Sequence, residues 1–138
     1  MTKGEETRAA IVEVGLATAS KVGLGALSLG ELAKEVGLSK SGLFAHFDSK
    51  ENLQLAVVRR AIERFVEVVI APALAEPRGE PRVRALFYNW FHWSRSSELP
   101  GGCFFIAASS ELDDQPGLLA AVRKRGILAV RPRFLAGE

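Results

Sequence analysis

The stretch from Ser28 to Glu51, SLGELAKEVGLSKSGLFAHFDSKE, constrains this chain more than any other. Ser28 and Glu31 have the spacing of a capping box, in which a hydroxyl and a carboxylate satisfy backbone donors at a helix start. Leu29, Leu32, Ala33 and Val36 follow at helical spacing and give a short helix one apolar face. Gly37 stands where that helix must stop and reverse, a position that favours a residue at ease with positive φ. Leu38 then plugs the angle between two helices and Ser39 caps the second, Lys40 to Phe47. Leu43 and Phe47 face inward there and leave Lys40, Ser41, Gly42, Phe44 and His46 for other work. Helix, tight turn and helix with a small polar outer face is the helix-turn-helix plan, whose second helix enters the DNA major groove.

The rest of the chain predicts an all-α protein. A first helix is expected from about Glu5 to Val22, with Ile11, Val14, Gly15 and Thr18 on one side and Leu16 beside it. Gly23 and Gly25 end it. A fourth helix starts at Asp48 or Ser49, carries Leu53, Val57, Ala61, Phe65 and Val68 on one stripe, and stops near Ala71–Pro72. The string PALAEPRGEP at 72–81 predicts a loop. Aromatic-rich Val83 to Ser97 is helical, PGG at 100–102 breaks it, and Cys103 to Leu112 forms a further helix. Pro116 suits a first turn, so a last helix is expected from Leu118 to about Val130. Residues 1–48 thus hold three helices that include the helix-turn-helix, 49–71 a connecting helix, and 72–138 a further helical region.

With 138 residues, 48% hydrophobic and 25% charged, the composition is that of an ordinary soluble protein. No apolar run reaches the roughly 18 residues of a membrane span, and the acidic N-terminus MTKGEETRAAI is unlike a secretory leader. The single cysteine, Cys103, excludes an internal disulfide framework and agrees with a reducing cytoplasm. Residues 1–71 hold nine Lys/Arg against nine Asp/Glu, so no broad basic footprint supports nucleic-acid binding. Near the turn the candidate cations are Lys40, His46 and Lys50. No Gly-rich phosphate loop, serine elbow or Cys–His arrangement appears, so neither an enzyme nor a cofactor is expected. Glu111, Asp113 and Asp114 cluster without a histidine or cysteine of ligand spacing, which predicts capping and surface charge rather than a metal site.

The segment resembles the N-terminal domain of the TetR family of one-component transcriptional repressors. The resemblance rests on Ile11, Leu16, Gly23, Leu32-Ala33, Val36-Gly37-Leu38-Ser39-Lys40, Leu43-Phe44-Ala45-His46-Phe47, Ser49-Lys50-Glu51 and Leu53. Pro100-Gly101-Gly102-Cys103, Glu111-Leu112-Asp113-Asp114 and Pro116-Gly117 are similar to one subgroup's regulatory domain. The resemblance implies a DNA-binding domain over 1–48 and a shortened region over 72–138 that forms a ligand pocket and the dimer contact. It also implies a homodimer on pseudo-palindromic double-stranded operator DNA, released when a small-molecule effector changes the spacing of the two reading heads. Phe44 departs from the family's usual tyrosine, whose hydroxyl would reach a phosphate. Ala19 departs from a common phenylalanine, and the chain is shorter than most members. A competing expectation is a helical protein-interaction or dimerisation module with little operator binding.

At the DNA, Lys40, Ser41 and Gly42 lie at the recognition-helix start, where side chains reach base edges. Lys40 meets guanine O6 and N7 or a phosphate, and the sequence does not distinguish the two. Phe44 touches sugar or a thymine methyl, or packs on the domain core. His46 is a donor to phosphate or base, and Lys50 joins the local backbone amides in holding a phosphate. Ser28 and Ser49 are caps first and phosphate donors second, and Ser39, the cap of the second helix, is counted with the DNA contacts. Phe87, Trp90, Phe91 and Trp93 line an apolar effector pocket or are plain core, with Cys103 beside them as a small buried thiol. His92 is expected to be a satisfied or exposed histidine, not a ligand.

Overall fold

The computed structural model describes residues 1–114 and 116–124. Every regular element among them is helical, as the sequence predicts: α1 (Lys3–Val22), α2 (Leu29–Val36), α3 (Lys40–His46), α4 (Lys50–Phe65), a π-helical turn (Val66–Ile70), α5 (Ala71–Leu74), α6 (Glu80–Ser94), α7 (Phe104–Asp114) and α8 (Pro116–Lys124). The part of the last predicted helix beyond Lys124 lies outside the described residues.

Local chemistry sets the helix starts. Ser28 Oγ accepts the Glu31 N–H, Ser39 Oγ that of Gly42, and Ser49 Oγ that of Asn52. Ser49, not Asp48, is therefore the cap of α4. The full reciprocal capping box occurs instead at Thr2 and Glu5. There the Thr2 backbone and side-chain donors hold the Glu5 carboxyl below its ordinary pKa. Gly37 sits at φ +72°, and the Leu38 N–H reaches the Ala33 carbonyl at 2.8 Å, a Schellman closure that turns α2 into α3. Ser49→Ala is expected to lower unfolding free energy by about 1 kcal/mol in a urea titration, with little change of slope.

Two predicted stripes differ from those observed. The buried side of α1 is Ile11, Val12, Gly15, Leu16, Ala19 and Ser20, while Val14 and Thr18 are half-buried. The helix packs on more than one neighbour, so its apolar face is wider than a single row. A Cβ at Gly15 would meet Val57 Cγ2 at 3.0 Å, which brings α1 close on α4. Thr18 instead donates to Glu35 of α2.

The fourth helix also does not stop at Pro72. It runs on through the π turn to Leu74, and the irregular segment shrinks to 75–79. Proline has no N–H, and its ring would strike the Val68 carbonyl in a regular α-helix. The wider turn before it, closed by the Ala71 N–H on the Val66 carbonyl, relieves that conflict. Asn89 of α6 donates its side-chain amide to the Val69 carbonyl at 3.2 Å, within the widened stretch. The inward row becomes Leu53, Val57, Ala61, Phe65 and Val69; Val69 is buried and Val68 only half-buried.

One cluster of buried side chains joins the two ends of the molecule. It runs from Ile11, Leu16, Leu32, Leu43 and Phe47 through Leu53 and Val57 to Trp93, Phe104 and Val122. Across it, Arg60 pairs with Glu13 of α1, and Arg64 with Glu67 and with Glu98 of the α6–α7 connection. The hydrogen bonds that Arg64 donates to the Glu98 and Glu67 carboxylates hold its guanidinium above its ordinary pKa, so it is charged at every working pH.

Candidate nucleic-acid interface

Helix α3 is positioned by its inward residues. Leu43 and Phe47 are fully buried, and the Arg8 guanidinium covers the Phe47 ring at 4.6 Å from its centroid. With that side fixed, Ser39, Lys40, Ser41, Phe44 and Ala45 stand exposed on the other. Lys40 has no ion pair among the described residues, and Phe44 is 47% exposed. That exposure removes the reading in which Phe44 only packs on the core. Ser41 Oγ lies 3.2 Å from Ser39 Oγ, so the two hydroxyls share the capped N-terminus. Gly42 has a local reason as well, since a Cβ there would come within 3.1 Å of the capping Ser39 Oγ.

The other predicted contacts are placed less directly. His46 is half-buried at the end of α3 and lines an open groove of about 650 Å³ between α1 and α4. Arg8, Asn52 and Arg59 line the same groove. Arg59 is exposed and has no ion pair among the described residues. Spacing around the turn drew attention to Lys40, His46 and Lys50, and it did not reveal Arg8 or Arg59, which tertiary packing brings alongside. Lys50 is already engaged: its Nζ donates to the Gly25 carbonyl at 2.5 Å. Ser28 and Ser49 serve as caps.

The five residues expected around an effector divide rather than converge. Trp93 is 4% exposed and packs between Phe65 and Phe105, with ring centroids 5.7 and 6.0 Å away. Trp90 is half-buried, and its Nε1–H donates to Cys103 Sγ at 3.4 Å. Phe87 and Phe91 lie on the solvent side of α6, stacked on each other 6.3 Å apart. Val83 and Tyr88 are exposed beside them. His92 is exposed, and the described residues contain no group of three or more His, Cys, Asp or Glu arranged to hold a metal.

Glu111 corrects the sequence reading most. It is not surface charge: its two oxygens accept the Leu24 and Gly25 N–H groups, each at 2.8 Å. Asp113 and Asp114 close α7, and their side chains lie outside the description. The only available signal was the pairing of an acidic residue with distant glycines, and no rule of spacing connects them.

Residues 11–57 match the family described as bacterial regulatory proteins, tetR family. Residues 79–132 match the tetracyclin repressor-like C-terminal domain. Over 103 residues the chain is 31% identical to the HTH-type transcriptional repressor ComR of Escherichia coli (strain K12), covering 74% of this chain and 49% of that protein. The chain thus spans about half the length of this curated relative. Among the described residues no helix is long and apolar enough to cross a membrane.

Proposed function

We propose, because this chain belongs to the TetR family of bacterial regulatory proteins, that it is a DNA-binding transcriptional repressor rather than an enzyme. It works in the cytoplasm as a homodimer on a pseudo-palindromic operator and leaves it when a small molecule binds. In this reading residues 1–48 form the reading head, 49–71 the connecting helix and 72–138 the regulatory region. The observation that carries it is the exposed row Ser39, Lys40, Ser41 and Phe44 on a recognition helix fixed from behind by Leu43 and Phe47. The similarity to a protein named as a transcriptional repressor supports the direction of regulation.

A gel shift with the DNA upstream of the chain's own gene tests this across a salt series. Specific binding should weaken steeply with salt, because phosphate contacts release counterions. No specific complex at low salt, from a folded protein, would sink the proposal. Lys40→Ala separates two roles. Loss of about 1–3 kcal/mol at one base pair means that Lys40 reads guanine, and uniform weakening with a shallower salt slope means that it holds a phosphate.

The second reading, a helical protein-interaction module, draws on the exposed apolar row Val83, Phe87 and Phe91 on α6. Sedimentation with and without DNA discriminates. A reading head needs two copies to engage half-sites about one helical turn apart, whereas an interaction module associates without DNA affinity.

A further inference from the structure

We infer that Glu111, reaching from α7 onto the turn between α1 and α2, is the positioning residue through which the C-terminal helices hold the DNA-reading head in register. The inference rests on the proposed DNA-binding role for its consequence, but its geometry stands alone. The four backbone polar groups of Leu24 and Gly25 are all answered by side chains from two distant helices. Glu111 of α7 takes both N–H groups at 2.8 Å. Gln54 of α4, itself buried, donates to the Leu24 carbonyl at 3.1 Å, and Lys50 of α4 donates to the Gly25 carbonyl at 2.5 Å.

The Gly25 residue therefore lies between a carboxylate on its N–H and an ammonium on its carbonyl. Charge-assisted hydrogen bonds of this kind are short and directional, so they fix orientation as well as distance. Gly23 makes room for the clamp. Its φ is +90°, and a Cβ there would lie 2.7 Å from Glu111 Oε1. A second tie sits beside the first, where the Gly101 N–H donates to Ser20 Oγ at 3.0 Å.

The consequence follows from chain order. The clamped turn leads directly into α2, which turns through Gly37 into the recognition helix α3. Lys50, bound to the same turn, opens α4 immediately after α3. A shift of α7 thus reaches the reading head at both of its ends. Glu111 is only half-buried, so water can compete for its oxygens and the joint can yield. Losing one such contact lies within the roughly 5- to 150-fold range of allosteric couplings.

Amide hydrogen exchange on the full chain, without DNA, tests the inference with Glu111→Gln. The Leu24 and Gly25 amides should exchange about tenfold faster or more. The α2 and α3 amides, Leu32 to His46, should speed up with them, and those of Val57 to Ala61 should not move. Acceleration confined to Leu24 and Gly25 would make Glu111 a local cap and overturn the inference, as would uniform acceleration with a general loss of stability. Gly23→Ala approaches the joint from the other side and should give the same pattern, non-additively with Glu111→Gln. A further arm adds operator DNA: linkage requires wild-type α7 amides near Ala108 to gain protection on binding, and Glu111→Gln to lose that gain. Wild-type failure to bind any DNA would count against the repressor reading, while the exchange pattern would still decide the joint.

Discussion

Replacing Gly101 with alanine is expected to cost about 3 kcal/mol or more of unfolding free energy, at the upper end of what overpacking does. A Cβ at that position would lie 1.8 Å from the Ser20 carbonyl oxygen, 2.2 Å from its carbon and 2.5 Å from Lys21 Cα. All three are backbone atoms in the last turn of α1, so no side chain can swing aside. The α6–α7 connection would have to lift away, and the Gly101 N–H would lose Ser20 Oγ. Ser20 is itself buried, which makes that loss dearer than a surface one. Gly102→Ala is the control. Its φ is +96° but nothing lies within 4 Å of the added methyl, so it carries only the strain of a left-handed residue, about 1–2 kcal/mol. Urea titration of both proteins checks the ranking. Near-wild-type stability of the Gly101 variant would mean that the connection does not rest on α1.

The helix-turn-helix was legible because everything that makes it is local. Ser28, Ser39 and Ser49 each cap a backbone donor three residues ahead, and Gly37 takes the left-handed turn that its position demands. Leu43 and Phe47, four apart, had to share a face. The same logic misses what depends on neighbours. Periodicity says that Phe87 and Phe91 lie together, and it cannot say whether anything covers them; in this structure they stay exposed. Trp93 is buried on the opposite side because Phe65 and Phe105 come to meet it from other helices. The continuation through Pro72 was hidden for a different reason. Proline usually ends a helix, and only a π turn placed just before it lets the rod go on. Glu111 was the least legible, since its partners are 86 and 87 residues away in sequence.

Phe47→Ala and Phe44→Ala, one at the C-cap of α3 and the other three positions before it on the helix, are expected to fail in opposite ways. Phe47 is 1% exposed, one of the largest fully buried side chains, and Arg8 stacks on its ring. Truncating it removes the ring from the centre of the reading head and leaves a cavity, at about 3–5 kcal/mol. That is a large share of the roughly 5–15 kcal/mol that holds an ordinary domain together. Operator binding should disappear because the head no longer folds, and thermal unfolding should show it without any DNA present. Phe44, by contrast, is 47% exposed, so its removal should change stability by no more than about 0.5 kcal/mol. If its ring meets a sugar or a thymine methyl, operator affinity should fall by about 1 kcal/mol or more in a protein of unchanged melting behaviour. Pairing the unfolding curve with the gel shift for each variant separates the two roles. A Phe44 variant that binds as tightly as the parent would remove the ring from the DNA contact and leave Lys40 and the two serines to make it.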